Sequence, residues 1–222
     1  RFCAVDTARP LPLEADEPRR VAEATRRLRL RHVVITAVAR DDLPDGGAEH
    51  FRQTIEAVRA LNPGIVIEVL TPDFNGRVEA LDRVLAARPH IFNHNLETVR
   101  RLTPAVRHRA TYERSLAVLA AAKQRGGPGL CTKSGLMLGL GETAAELEQA
   151  LRDLRAVECD LLTLGQYLQP TPRHLPVVEF VPPARFAELA GRARALGFRH
   201  VASGPLVRSS YHADEFVPAP PA

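Results

Sequence analysis

Short apolar runs with no helical period alternate along this chain with segments whose apolar residues return every three or four positions. Val33-Val34-Ile35, Ile65-Val66-Ile67, Ile91-Phe92, Leu136-Met137-Leu138, Leu161-Leu162-Thr163-Leu164 and His200-Val201-Ala202 read as strands. Between them, Phe51, Ile55, Val58 and Leu61 mark a buried helix stripe stopped by Asn62-Pro63-Gly64. Leu81, Val84 and Leu85 mark the next, within a helix over about residues 76–87. A further helix is predicted at 112–125, another carries Leu147, Leu151 and Leu154, and the last carries Phe186, Leu189, Ala193 and Leu196 before Gly197. Ahead of all these, Asp16 as N-cap and Pro18 in the first turn open a helix running to about Leu30.

Strand starts near residues 33, 65, 91, 134, 161 and 200 leave room for one helix in each gap, which is the rhythm of a parallel α/β sheet. Runs apolar on both faces, with polar residues gathered after them, point to a (β/α) barrel or part of one. A doubly wound sheet is the rival arrangement.

The stretch over residues 132–143 is the most informative. Leu136, Met137, Leu138 and Leu140 form an apolar strand between the charges of Lys133 and Glu142, and Thr143 with Glu146 makes a capping box for the helix that follows. Gly135, Gly139 and Gly141 omit side chains where another group comes close to the backbone. A tight turn with a solvated Glu142 accounts for the same residues. After the strand at 91–92, Asn93-His94-Asn95 is rich in hydrogen-bonding groups.

Composition narrows the class. The 222 residues, 45% hydrophobic, suffice for one large domain with a core, and scarce aromatics suit helices on a sheet. No apolar run approaches a membrane span and no signal peptide opens the chain, so a cytoplasmic protein is expected. The net charge of +4 is too mild to argue for nucleic acid, although it weakly favours an acidic protein partner. Cys3, Cys131 and Cys159 are too few and too far apart for a disulfide framework. The chain begins at Arg1, with Cys3 close behind and no strand before it, and reads as a fragment; the strand at Val33 would then be left with an unpaired edge.

Six separate segments, taken together, resemble lipoyl synthase of the radical S-adenosylmethionine superfamily. They are Val33-Val34-Ile35-Thr36, Arg40-Asp41-Asp42-Leu43-Pro44-Asp45-Gly46-Gly47, Phe92-Asn93-His94-Asn95-Leu96-Glu97-Thr98, the run over 133–143, Gly165-Gln166-Tyr167-Leu168-Gln169-Pro170, and Gly204-Pro205-Leu206-Val207-Arg208-Ser209-Ser210-Tyr211. The resemblance covers nearly the whole chain. It implies a partial (β/α)6 TIM-type barrel, here lacking its first strand, over residues 1–203, and a C-terminal tail over 204–222. It also implies S-adenosylmethionine and two 4Fe-4S clusters as cofactors, and an octanoylated lipoyl carrier domain or protein as partner. A monomer that binds neither nucleic acid nor membrane is expected. The implied reaction inserts two sulfur atoms, at C6 and C8 of the octanoyl group, to make lipoyl-lysine.

On the family pattern Arg1-Phe2-Cys3 is the tail of a C-x-x-x-C-x-x-C cluster loop, so Cys3 is its last ligand. Ser210 matches the tail serine that ligates the second cluster, with Ser209 as fallback, while Arg208, Tyr211 and His212 would anchor the tail. The other cysteines of both clusters are not in this sequence, and one thiolate cannot hold a four-iron cluster, so the chain alone is expected to be inactive. For S-adenosylmethionine the candidates are Lys133 at the carboxylate, Asn95 and Glu97 at ribose or amino hydrogens, and the backbone over 135–141, Gly139 included, at the adenine face, with Ser134 as a further cofactor-binding residue. Lys133 and Glu97 could instead simply pair with each other, His94 could be a strand-end cap, and Arg40, Asp41 and Asp42 a solvated cluster or a carrier rim. Two other functions stand beside the synthase. One is a relic without clusters that binds carrier or S-adenosylmethionine; the other is a metal-independent barrel enzyme with phosphate held at helix N-termini near residues 45–47 and 139–143.

Overall fold

A computed structural model describes residues 2–3, 10–107, 109–211 and 213–215. In chain order it contains α1 (Glu17–Arg27), β1 (His32–Thr36), α2 (Ala48–Leu61), β2 (Val66–Leu70), α3 (Val78–Ala86), β3 (Ile91–Asn93), α4 (Thr103–Val106), α5 (Tyr112–Arg125), β4 (Cys131–Leu138), α6 (Ala144–Ala156), β5 (Leu161–Gln166), α7 (Pro183–Ala195) and β6 (His200–Gly204). All six strands are parallel and stand in sequence order in one sheet, with β1 and β6 at its edges. A doubly wound sheet would reverse strand order at a switch point. None does here, so the partial barrel stands and its rival falls.

The pattern of side chains explains the arrangement. Every residue of β3 and β5 is buried, as expected of strands covered by helices on one side and by the barrel interior on the other. Leu147, Leu151 and Leu154 of α6 and Phe186, Leu189 and Ala193 of α7 join the outer core with Ile55, Val58, Leu81, Val84 and Leu119 from α2, α3 and α5. Among the described residues no helix is long and apolar enough to cross a membrane.

Local expectations fare unevenly. The capping box is present in full, with Thr143 Oγ1 accepting from Glu146 N and the Glu146 carboxylate accepting from Thr143 N at 2.8 Å. Asp16 holds the N-cap position of α1 but makes no capping hydrogen bond; its carboxylate lies 3.6 and 3.5 Å from Arg19 and Arg20 instead. That helix also stops at Arg27 rather than near Leu30, because Arg29 turns left-handed at φ 53°. The strand of the glycine stretch starts earlier than its apolar run, at Cys131, since Thr132 and Lys133 are polar residues on an entirely interior segment.

Replacing Thr143 with Ala removes one member of the box and should cost about 1 kcal/mol. For a chain of this size that is a drop of roughly 2–4 °C in Tm by thermal melting, with Thr143→Ser close to wild type.

Candidate functional site

The segments that follow the strands converge on a cavity of about 300 Å³, walled in part by Phe2, Cys3, Asn95, Glu97, Gly135 and Ser209. It lies on the side of the C-terminal ends of β3 to β6, where barrel enzymes keep their chemistry. A wider opening of about 580 Å³ lies at the opposite end, near the C-terminus of α1 and the start of β2. Among the described residues that line it there is no thiol or carboxylate.

Glu97 sits at φ 69°, a left-handed conformation unusual for a side chain of its kind. Two backbone hydrogen bonds hold it there: Glu97 N donates to Gly135 O at 2.9 Å, and Met137 N donates to Glu97 O at 2.8 Å. The loop after β3 is thus stitched to β4, and the carboxylate is fixed against the cavity. Burial pushes the Glu97 carboxyl up, while the charge of Arg107 and a hydrogen bond from Asn95 pull it back down. Gly135 is required where it stands, because a Cβ there would lie 2.6 Å from Thr163 Oγ1 and 2.9 Å from Asn95 Oδ1. Asn95 Oδ1 is itself buried without a hydrogen-bond donor.

Beneath this loop lies a polar chain, where sequence alone suggests only a strand-end cap. His94 Nδ1 donates to Thr71 O at 2.9 Å, which leaves Nε2 to accept from Ser115 Oγ at 3.0 Å. Arg107 Nη1 donates both to Ser115 Oγ at 2.8 Å and to Asn95 O at 3.0 Å. His94 is therefore structural, and burial together with the nearby Arg107 charge lowers its pKa to about 4.

Cys3 is exposed at the cavity edge, and its carbonyl accepts from His174 Nε2 at 3.0 Å. Thr171 lies 2.8 Å from the other ring nitrogen of His174, so the segment after β5 braces the start of the chain. Cys131 and Cys159 are buried, and burial pushes the Cys159 thiol up to about 12, so neither offers a thiolate. Among the described residues no three His, Cys, Asp or Glu side chains are grouped to hold a metal.

Three of the residues suggested for the cofactor are not among those that wall this cavity. Lys133 is deep in the interior, where Nζ donates to Glu68 Oε1 at 2.9 Å, Glu68 Oε2 at 3.1 Å and Ser209 O at 2.7 Å. Its partner is Glu68 and not Glu97, because Lys133 is the third residue of β4, well short of the strand's C-terminal end. Ser134 Oγ accepts from Leu96 N at 3.1 Å, so its hydroxyl supports the loop after β3. Gly139, at φ 94°, faces Glu179 O, which would lie 2.2 Å from a Cβ, so its small size admits the chain's own backbone. The amides of Gly139 and Leu140 already donate to the Glu142 carboxylate at 2.6 and 2.9 Å, which removes that turn as a phosphate cradle. Glu142 is thus no solvated bystander.

The tail serines differ. Ser209 Oγ accepts from Asn95 Nδ2 at 2.9 Å, and Ser209 walls the cavity, whereas Ser210 beside it is exposed. Arg208 Nη1 donates to Val207 O at 2.7 Å, and Tyr211 N donates to Arg208 O at 2.9 Å, which makes the tail a turn. Arg1 and His212 lie outside the described residues. Arg40 pairs with Asp42 at 2.8 Å and Arg109 with Asp41 at 2.8 Å, as a surface ion-pair cluster. Sequence reasoning misses Glu68 as a site residue, although an acid inside the apolar run of residues 65–70 is a signal that a cation lies opposite.

Residues 1–154 match the model of the Radical SAM superfamily. A lipoyl synthase of Caldanaerobacter subterraneus subsp. tengcongensis is 55% identical over 96% of this chain and 75% of its own length. The chain belongs to the lipoyl synthase family. The family's members from Methylococcus capsulatus and Thermus thermophilus are 59% and 58% identical, each over 96% of this chain but 66% and 67% of their own lengths. Among solved structures, methylornithine synthase PylB has a TM-score of 0.59 at 13% identity, covering 98% of this chain and 73% of that one. Streptococcus suis SuiB bound to precursor peptide SuiA has a TM-score of 0.68 at 10% identity, covering 91% of this chain and 45% of that one. These two likenesses establish the fold. Membership carries radical S-adenosylmethionine chemistry with a 4Fe-4S cluster, and it favours the synthase over a cluster-free relic.

Between an ordinary histidine pKa and about 4, the unfolded chain binds a proton that folded His94 does not, so stability rises with pH across that window. Comparing urea unfolding near neutrality and near pH 4, His94→Gln should remove roughly 3 kcal/mol of acid-dependent loss relative to wild type. Identical pH slopes in the two proteins would refute the assignment.

Proposed function

We propose that the full-length protein inserts two sulfur atoms at C6 and C8 of a protein-bound octanoyl group, using S-adenosylmethionine and two 4Fe-4S clusters. The observation that carries this reading is the cavity in which Cys3 and Ser209, from opposite ends of the sequence, meet Asn95 and Glu97 from its middle. The residues present fit part of the cofactor set. Cys3 offers one exposed thiol at the cavity edge, and Glu97 and Asn95 Oδ1 offer acceptors with few competing donors.

In this reading Cys3 is a ligand of the first cluster, and Ser210 is the tail ligand of the second. Ser209 has its hydroxyl and carbonyl already engaged by Asn95 and Lys133, which leaves the exposed Ser210 as the free hydroxyl. When bound, the clusters and S-adenosylmethionine would supply the radical chemistry and the sulfur. The chain's own side chains bind and enclose. Glu97 would accept from the amino group of S-adenosylmethionine, and that cation would in turn stabilise a carboxylate that burial disfavours. Gly135 leaves space at the cavity wall, and the loop after β3 keeps Asn95 in place through Arg107. Excluding water protects a reactive carbon radical from side reactions.

The partner in this reading is an octanoylated lysine on a lipoyl carrier domain, met by a monomer in the cytoplasm. Residues 204–222 act as a tail module that completes the site on a barrel formed by 1–203.

Glu97→Gln should weaken S-adenosylmethionine binding by roughly tenfold to a hundredfold in equilibrium dialysis, the cost of losing a charged acceptor. In a chain of the relatives' full length, Cys3→Ala should lose about four irons after anaerobic reconstitution while Ser210→Ala keeps the first cluster's signal. Full iron content in Cys3→Ala would overturn the ligand assignment.

A further inference from the structure

We propose that the buried Lys133–Glu68 pair is a positioning device for the C-terminal tail, with Lys133 as the group that fixes the tail serines at the cavity. An ammonium has three N–H donors. In the interior, where Lys133 is 5% exposed, two of its acceptors are the oxygens of Glu68, at 2.9 and 3.1 Å. The third is the backbone carbonyl of Ser209, at 2.7 Å. With three protein acceptors for three donors, the cation's hydrogen bonding is complete only when the tail is in place.

Glu68 holds Lys133 from the other side. It is fully buried, and Oε1 also accepts from Asn93 Nδ2 at 2.8 Å, while His32 Nε2 lies 3.4 Å from Oε2. Burial pushes the Glu68 carboxyl up, but the nearby His32 ring, the charge and hydrogen bonds of Lys133 and the hydrogen bond from Asn93 outweigh it and hold the carboxyl below its usual range. The carboxylate is therefore an ionised anchor that fixes where the ammonium can sit, and hence where residue 209 can sit.

Independent contacts define the same register. Asn95 Nδ2 donates to Ser209 Oγ at 2.9 Å, so one side chain from the loop after β3 and one from β4 converge on one tail residue. Two residues upstream, Val207 O presses on Gly165, where a Cβ would lie 2.2 Å away. Tyr211 lies beside Glu68, Lys133 and His200 around a space of about 10 Å³. The tail thus descends from the cavity toward the ion pair, with Ser210 held between two fixed neighbours. The consequence for iron ligation by Ser210 rests on the function proposed above. The placement of the tail does not, so the two can fail separately.

The test is hydrogen exchange at the amides of 209–211 together with the rate of tryptic cleavage after Arg208, read by mass spectrometry on the whole protein. In the double variant Glu68→Met with Lys133→Met, neither charge is left unpaired, and apolar replacement of a buried pair commonly preserves folding. That variant should melt cooperatively, yet cleave after Arg208 at least about tenfold faster, because local opening of the tail no longer breaks its anchor. Glu68→Gln keeps the shape, weakens the hold on the ammonium and should give a smaller increase of about threefold. Asn95→Ala should add to the effect of either. Wild-type exchange and cleavage in a folded double variant would overturn the proposal. Should the double variant fail to fold, wild-type behaviour of Glu68→Gln would do the same.

Discussion

A carboxylate with no solvent exposure and an ammonium on a strand two places away in the sheet meet inside the barrel, and the geometry of the site follows from their need for each other. Neither Glu68 nor Lys133 could be buried alone without a cost of several kcal/mol. Together they set the spacing of β2 and β4 across β3, from which Asn93 reaches the same carboxylate. Directly above, β4 passes Gly135 and the loop after β3 folds onto it, so that Asn95 and Glu97 occupy the cavity wall. A polar floor thus supports the cavity end of the barrel.

Much of this architecture is legible in the sequence because it depends on local periodicity. The stripes through Ile55 and Val58, through Leu81 and Val84, and through Leu151 and Leu154 lead to the observed helices, and Thr143 with Glu146 marks a real helix start. Boundaries fail where tertiary packing overrides local signals. In the sequence Lys133 reads as a charge at a strand end, yet an ion pair lets a lysine lie inside a strand. The short helix α4 carries only Thr103-Pro104-Ala105-Val106, too little for any periodic signal, so the sequence does not reveal it.

The site itself is readable as a set of motifs but not as a set of contacts. Asn95, Glu97 and Cys3 do share a cavity. Gly139 illustrates the difficulty: its missing side chain does mark a close approach, but the approaching group is the backbone at Glu179. Glycine records that something comes near and not what it is. Similarly, the Asn95 and Ser209 hydrogen bond spans 114 positions, beyond any pattern in a single sequence.

The bond from His174 to the Cys3 carbonyl joins residues 171 positions apart. Closing so long a loop early would cost chain entropy with little in return, so the bond is gained only once the intervening strands have aligned. The position of the Cys3 thiol at the cavity edge therefore depends on the completed sheet and not on local chain geometry. Were Cys3 to serve as proposed above, the contact with His174 would give its thiol a defined position at the cavity edge only in the folded chain.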